Sequence, residues 1–269
     1  MEEASRRSIF VEFDNTVSRS SWCCSFVDGN GWFGDEYFDV SSWLSSLGRM
    51  ATTFRGHDNV VAYSLRNEFR YDTGSREKTR GDLIEDWMKY VPMGVRALND
   101  ADPSALIFVG GLSYENDWTF LSDPGNLSPE WISVDEDLVD KIVFESHIYD
   151  WSGFGEVTAD CGAFLDGVDR NIGWVNDNGR AHVITEIGND LDSYRAGNDD
   201  KLNWYFDCVG KWIVEHKAGF AYWVLGGSYY SRDDFQQSPS YDWFGLLTID
   251  WKEWHNADIL AETRNKFVF

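Results

Sequence analysis

Positive charge is scarce in this chain of 269 residues: 23 Lys and Arg stand against 46 Asp and Glu, a formal net charge of −23. That balance repels phosphate backbones and anionic lipid, so no nucleic-acid or membrane-surface role is expected. No apolar run reaches the roughly 18 residues that cross a bilayer. The start, Met1-Glu-Glu-Ala-Ser-Arg-Arg7, lacks the apolar segment and small-residue cleavage site of a secretory signal peptide. The four cysteines, Cys23, Cys24, Cys161 and Cys208, form no C-x-x-C pair, which argues against structural zinc and leaves a Cys161 to Cys208 bridge open. Other motifs are incomplete. Gly29-Asn-Gly31-Trp-Phe-Gly34 fits G-x-G-x-x-G, but no helix opens from it and an acidic chain hosts pyrophosphate badly. Gly111-Leu-Ser113-Tyr-Glu115 lacks the last Gly of a nucleophile elbow. Asp28 and Asn30 begin like a calcium loop, yet Trp32 fills the next ligand position. The sequon Asn126-Leu-Ser128 is followed by Pro129 and says little about secretion. No metal, cofactor or obligate protein partner is expected.

What the chain does have is apolar and aromatic surface. Hydrophobic residues make up 43%, enough for a large core, and the length suits one large α/β domain over 1–269. The 14 Trp and 12 Tyr, set among carboxylates, suit a neutral polyhydroxylated ligand whose C–H faces stack and whose hydroxyls hydrogen-bond. Apolar strand-like runs alternate with helical periodicity. Strands are expected at 9–15, 59–68, 105–110, 141–147, 181–186 and 219–225. Helices are expected at 39–50 behind an Asp39 cap, 82–99 with Pro92 bending or restarting it, 161–175, 199–217 ending at Gly219, and 254–266. Strand–helix alternation implies βαβ units and a parallel sheet. The strands deliver Asn15, Asn67-Glu68, His147, Tyr149, Glu186 and Trp223 at their C-terminal ends. That even spread favours a (β/α)8 barrel, whose site lies at those ends, over a doubly wound sheet with one switch point. Six strands are two short of closure, and the deficit falls before residue 8.

Two carboxylates end strands: Glu68 in Leu-Arg-Asn-Glu and Glu186 in Ile-Thr-Glu-Ile-Gly. Glycoside hydrolysis with retention needs one carboxyl as proton donor and one as nucleophile, roughly 5 Å apart across the sugar. Asn67 is placed to hold a sugar 2-hydroxyl. His147 and Tyr149, two apart on an extended segment, share a face. From there Tyr149 can orient Glu186, and His147 can hold a hydroxyl or support the acid. Trp223 offers a stacking platform.

Asp14-Asn-Thr-Val-Ser18, Trp22-Cys-Cys24, Asp28-Gly-Asn-Gly-Trp-Phe-Gly34, Ser64-Leu-Arg-Asn-Glu68, His147-Ile-Tyr149 and Thr185-Glu-Ile-Gly188 together resemble glycoside hydrolase family 5, the cellulase family, in its eukaryotic cellulase-like group of plants and fungi. The resemblance runs from residue 9 to about 260. It implies a TIM barrel reduced at its N-terminal side to about six βα units, strands three to eight, with Glu68 as acid/base and Glu186 as nucleophile. It further implies that Asn15, Asn67, His147, Tyr149 and Trp223 belong to the subsite around the cleaved bond. Thr16 stands where the family reads His, and an Arg near the family's second strand has no counterpart. The implied activity is cleavage of β-glycosidic bonds in a polysaccharide or oligosaccharide, extracellular, with the loop at 22–39 setting the substrate. The competing expectation is a carbohydrate-binding remnant of a truncated gene that lacks turnover.

Overall fold

The computed structural model describes residues 1–19, 23–25, 28–35, 37, 39–70, 79–122, 136–177, 179–192, 200–230, 239–256, 258–259 and 261. Trp22, the sequon at 126–128 and most of the expected helix at 254–266 lie outside the described residues. The chain divides into two compact units, Met1–Glu145 and Ser146–Phe269. Strand β4 runs through the boundary between them.

In Met1–Glu145 the strands are β1 (Val11–Phe13), β2 (Val60–Ser64), β3 (Leu106–Gly110) and the first residues of β4 (Ile142–Ile148). They pair in parallel and in chain order, Val11 opposite Val60, Ala62 opposite Leu106 and Ile107 opposite Ile142. Parallel pairing needs a crossover, and helices Val40–Phe54 and Arg80–Ala101 provide the first two. The first opens at Asp39, whose carboxylate accepts the Ser42 N–H at 2.7 Å. It buries Trp43, Leu47 and Ala51 at helical spacing. The second opens on a capping box, Thr79 with Asp82, and buries Trp87, Val91, Val95 and Leu98. It continues through Pro92 as one helix, where the sequence suggested a bend or restart. Two indoles lock these helices to strand ends: Trp43 Nε1 donates to Leu65 O at 3.1 Å, and Trp87 Nε1 to Gly110 O at 3.0 Å. A short helix, Glu2–Arg6, precedes β1, where no element was expected.

In Ser146–Phe269 the strands β5 (His182–Ile187) and β6 (Gly219–Tyr222) pair in parallel, Val183 opposite Gly219. The expected helix at 161–175 is observed as Gly162–Val168 continued by a π-turn, Asp169–Gly173, and by Trp174–Asp177. Helix Asp200–His216 precedes β6. It stops two residues before Gly219: Lys217 takes the left-handed conformation at φ 52° and Ala218 N–H closes onto Ile213 O at 3.0 Å. An antiparallel hairpin, β7 (Ser228–Tyr230) with β8 (Pro239–Tyr241), was not foreseen. Trp254 forms an isolated bridge with Leu247 rather than starting a helix. The open cysteine pairing resolves into a Cys161–Cys208 disulfide across 47 residues, with Cα atoms 5.4 Å apart. His182 is buried between Ser146 Oγ at 2.9 Å and Asn176 Oδ1 at 3.1 Å, and burial pulls its pKa down to about 3, so the ring stays neutral.

Among the described residues six parallel strands pair in chain order, the pairing expected of a (β/α) barrel. Among the described residues no helix is long and apolar enough to cross a membrane.

Two stability predictions follow from these cores. Glu12 on β1 and Glu145 on β4 are pushed up by burial first and by neighbouring carboxylates second, Glu12 to about 8 and Glu145 well above its ordinary value. The folded unit therefore holds more protons than the unfolded chain above pH 4.5, and stability present below that point is lost as pH rises towards 8. The urea midpoint should fall between pH 5 and 8, and Glu145→Gln should flatten the fall. A midpoint that does not move with pH in the unmutated chain would contradict this. Replacing Cys161 and Cys208 together by Ser should cost about 4 kcal/mol by freeing the unfolded chain, measured by denaturant titration against the oxidised protein.

Candidate active site

In Met1–Glu145 the residues that follow β1 and β2 come together. Asn67 N–H donates to Asn15 O at 3.1 Å, and Asn15 Nδ2 donates to Leu65 O at 3.4 Å. The Asn67 side chain is buried, and its Nδ2 points at the Cys23 and Cys24 sulfurs, 3.4 and 3.5 Å away. Glu68 sits next to it with φ 49°, a left-handed turn that swings the chain out of the strand. Its backbone is held on both sides: the N–H donates to Glu115 Oε1 at 2.6 Å, and the carbonyl accepts from Arg70 Nη1 at 3.0 Å. Arg70 is fixed in turn by Asp28, at 2.8 and 3.0 Å, and by Ser25 O at 2.9 Å. Asp28, which began like a calcium loop, thus spends its carboxylate on an arginine.

The loop after β1 is anchored by a second buried arginine. Arg66 pairs with Asp35 at 3.0 Å and also donates to Asn30 O and to Ser18 Oγ at 3.3 Å. Asn30 Oδ1 accepts the Ser18 N–H at 2.8 Å. Burial lowers the Arg66 pKa to about 10, which leaves it charged at neutral pH. The Gly29–Gly34 motif is consequently a folded loop gathered around guanidinium groups, and no helix starts there.

In Ser146–Phe269 the arrangement centres on Glu186 of β5. Tyr149 Oη donates to Glu186 Oε2 at 2.6 Å, and His147 Nδ1 lies 3.4 Å from the same oxygen. His147 is buried on β4, and Tyr149 is buried just beyond it. The Tyr149 ring stacks on Trp151, with centroids 4.6 Å apart and planes at 10°, and meets the edge of Phe244 at 6.4 Å. Trp223, just past β6, binds its N–H to Ile187 O at 2.8 Å and leaves its indole 38% exposed, open enough to receive a ligand face. The carbonyl of Trp223 passes so close to Gly188 that a Cβ there would lie 2.3 Å from the oxygen. Gly188 N–H donates to Tyr205 Oη at 3.2 Å, and that hydroxyl donates to Ile148 O at 2.5 Å. One tyrosine thereby ties the ends of β4 and β5 together.

Each unit gathers its own expected residues: Asn15, Asn67 and Glu68 in the first, His147, Tyr149, Glu186 and Trp223 in the second. Glu115, Arg70 and Trp151 were missed. Glu115 lay inside the motif read as a failed nucleophile elbow, and nothing in that string signals the turn that aims it. In Met1–Glu145 the ligand atoms of Cys23, Cys24 and Glu68 cluster within 4.8 Å, as metal ligands do. Cys23 and Cys24 are neighbours in the chain, so two of the three ligand atoms lie close together whether or not an ion is bound.

Residues 25–228 match the family described as Cellulase (glycosyl hydrolase family 5). The chain is 31% identical over 271 residues to a glycosyl hydrolase 5 family protein of Chamaecyparis obtusa, covering 97% of this chain and 45% of that protein. It is 28% identical over 193 residues to endo-beta-1,4-glucanase B of Emericella nidulans, covering 66% of this chain and 53% of the relative. The chain thus spans about half the length of these curated relatives. Among solved structures, a hyperthermophilic endocellulase from the archaeon Pyrococcus horikoshii superposes with a TM-score of 0.72 at 20% identity, over 99% of this chain and 72% of that one. The catalytic domain of the major endoglucanase of Xanthomonas campestris pv. campestris gives 0.70 at 18% identity with the same coverage. At such identities the structures establish the shared fold.

The close approach at Gly188 generates a prediction. Gly188→Ala should cost about 1–3 kcal/mol, because a backbone carbonyl has to move to admit the methyl group. Thermal melts of the two proteins check it, and equal melting temperatures would refute the contact.

Proposed function

The chain belongs to glycosyl hydrolase family 5, and on that premise we propose that it is a retaining glycoside hydrolase acting on β-glycosidic bonds of a polysaccharide or oligosaccharide. Residues 1–269 are taken as one catalytic domain; the family match and strand β4 both run through the boundary at Glu145. The observation that carries the reading is Glu186, a carboxylate at a strand end whose direction is set by the Tyr149 hydroxyl. A phenol orients the carboxylate without cancelling its charge as an arginine would, which suits a nucleophile.

In the first step a Glu186 oxygen attacks the anomeric carbon and the bond to the leaving oxygen breaks. Glu68 gives its proton to that oxygen. In the second step water adds to the anomeric carbon of the glycosyl ester, Glu68 takes the water's proton, and Glu186 leaves as carboxylate. Asn67 and His147 hold sugar hydroxyls, Trp223 stacks on the sugar face, and Asn15 keeps the Asn67 backbone in place. The relatives named as endocellulase and endo-beta-1,4-glucanase support a β-glucan as the substrate class. Secretion is part of the proposal, supported by the family and by the Cys161–Cys208 disulfide, which persists in oxidising compartments.

The test uses 2,4-dinitrophenyl β-cellobioside and cellotetraose. Glu186→Gln should lose turnover by at least about 10³-fold. Azide should rescue Glu186→Gly with an α-glycosyl azide as product, and Glu68→Gly with a β-glycosyl azide. Turnover that survives removal of either glutamate would sink the assignment. Cellotetraose binding by calorimetry, without release of reducing ends from the unmutated chain, would replace the hydrolase with a binding remnant.

A further inference from the structure

We infer that Glu115 is a positioning residue for Glu68, holding the acid/base through its backbone; the inference rests on the assignment of Glu68 just proposed. After β3 the chain passes Gly111 and then places Ser113, Tyr114 and Glu115 in succession in the left-handed region, at φ 56°, 62° and 61°. L-residues avoid that region, and three in a row persist only where surrounding contacts over-determine them. The contacts are specific. Leu112 N–H donates to Asp117 O at 3.1 Å, and Asn116 Nδ2 donates to Tyr114 O at 2.9 Å. Tyr114 N–H donates to Phe69 O at 3.0 Å, and Glu115 Oε1 receives the Glu68 N–H at 2.6 Å. The turn after β3 therefore clasps the turn after β2 at two successive residues.

Glu115 is fully buried. Room for its carboxylate depends on Gly110, where a Cβ would stand 2.7 Å from the carboxyl carbon. A buried carboxyl group is costly unless its oxygens find donors, and the short bond from the Glu68 N–H supplies one while fixing that N–H in direction. With Arg70 Nη1 on the Glu68 carbonyl, both ends of the acid/base residue's backbone are held by side chains from other segments. Those bonds fix the Cα from which the Glu68 side chain swings. A general acid has to lie within hydrogen-bond reach of the leaving oxygen, and a displacement of about 1 Å costs about 10²-fold.

This role makes a signature that general destabilisation lacks. A dinitrophenolate leaves without a proton, whereas a sugar hydroxyl needs one. In Glu115→Ala, kcat/KM for cellotetraose should fall about 10²-fold while kcat/KM for 2,4-dinitrophenyl β-cellobioside stays within about threefold. Glu115→Gln keeps an acceptor oxygen and should stay within about fivefold of the unmutated chain on both. Gly110→Ala leaves the carboxylate in the chain but displaces it, and should reproduce the Glu115→Ala pattern if that variant does not fold. Hydrogen exchange over the peptide containing Glu68 reads the clasp without activity, and exchange should speed up in Glu115→Ala and Gly110→Ala. Glu68→Gln is the control. If it shows no leaving-group dependence, the acid/base assignment fails. If it shows the dependence and the Glu115 variants lose both substrates equally, or lose neither, the positioning role is wrong while the assignment stands.

Discussion

A carboxyl group shielded from bulk water has to find another donor, and three in this chain accept from neutral ones. Ser64 Oγ donates to Glu145 at 2.6 Å, Tyr149 Oη to Glu186 at 2.6 Å, and the Glu68 amide to Glu115 at 2.6 Å. A cation in any of these places would lower the carboxyl's proton affinity and blunt it as a base or nucleophile. A hydroxyl or amide fixes direction and leaves the charge largely intact. The same choice explains why Glu12 and Glu145 are driven up: burial and like charges act on them, and the compensating bond is a weak one. Carboxyl groups buried in the core therefore keep their protons to higher pH than exposed ones, and this makes unit Met1–Glu145 sensitive to pH.

The few cations are used elsewhere. Arg66 and Arg70, both 2% exposed, go to the loops beside β2, each with its own aspartate. Buried ion pairs contribute little net stability, because desolvation offsets attraction, but they are strict about geometry. Here they fasten Ser18, Ser25, Asn30 and Asp35 to the segment that carries Asn67 and Glu68. A loop rich in glycine and polar residues is held to one shape that way. The part of the chain expected to meet substrate is consequently anchored from beneath by arginines whose charge never reaches the surface.

The sequence was most legible where buried parallel strands end. A run such as Ile-Val-Phe-Glu-Ser-His147 is buried along its length because both its faces are covered, and polar residues gather towards its C-terminal end. That pattern is why Asn67, Glu68, His147, Glu186 and Trp223 are the proposed site residues, and why six strands were counted close to their observed places. Helix ends were harder. Gly219 looked like the natural stop, yet Lys217 accepts the left-handed conformation because the Ala218 N–H bond to Ile213 and the burial of Ala218 outweigh its intrinsic preference. Pro92 does not restart the helix: a proline forfeits one hydrogen bond, and Val91 and Val95 on the buried stripe hold the helix through it. Glu115 was out of reach altogether, since its role depends on three left-handed residues that carry no glycine to announce them.

Two small residues and one stacked ring bear on how firmly the site is set before a ligand arrives. Gly110 and Gly188 are places where a neighbour's carboxylate or carbonyl occupies the space of a side chain, so position is transmitted through backbone atoms, which do not rotate away. Tyr149 is a side chain, and its hydroxyl could in principle swing. Its ring, however, lies flat against Trp151 and edge-on to Phe244, and its own N–H is bound to Ser152 Oγ at 2.9 Å. The hydroxyl's direction is therefore settled by packing, and the hydrogen bond to Glu186 is made without ordering either partner during the reaction. On the proposed assignment of Glu186 as nucleophile, that entropy is lost on folding rather than on binding, which leaves a sugar's binding energy for the transition state instead of for assembling the nucleophile.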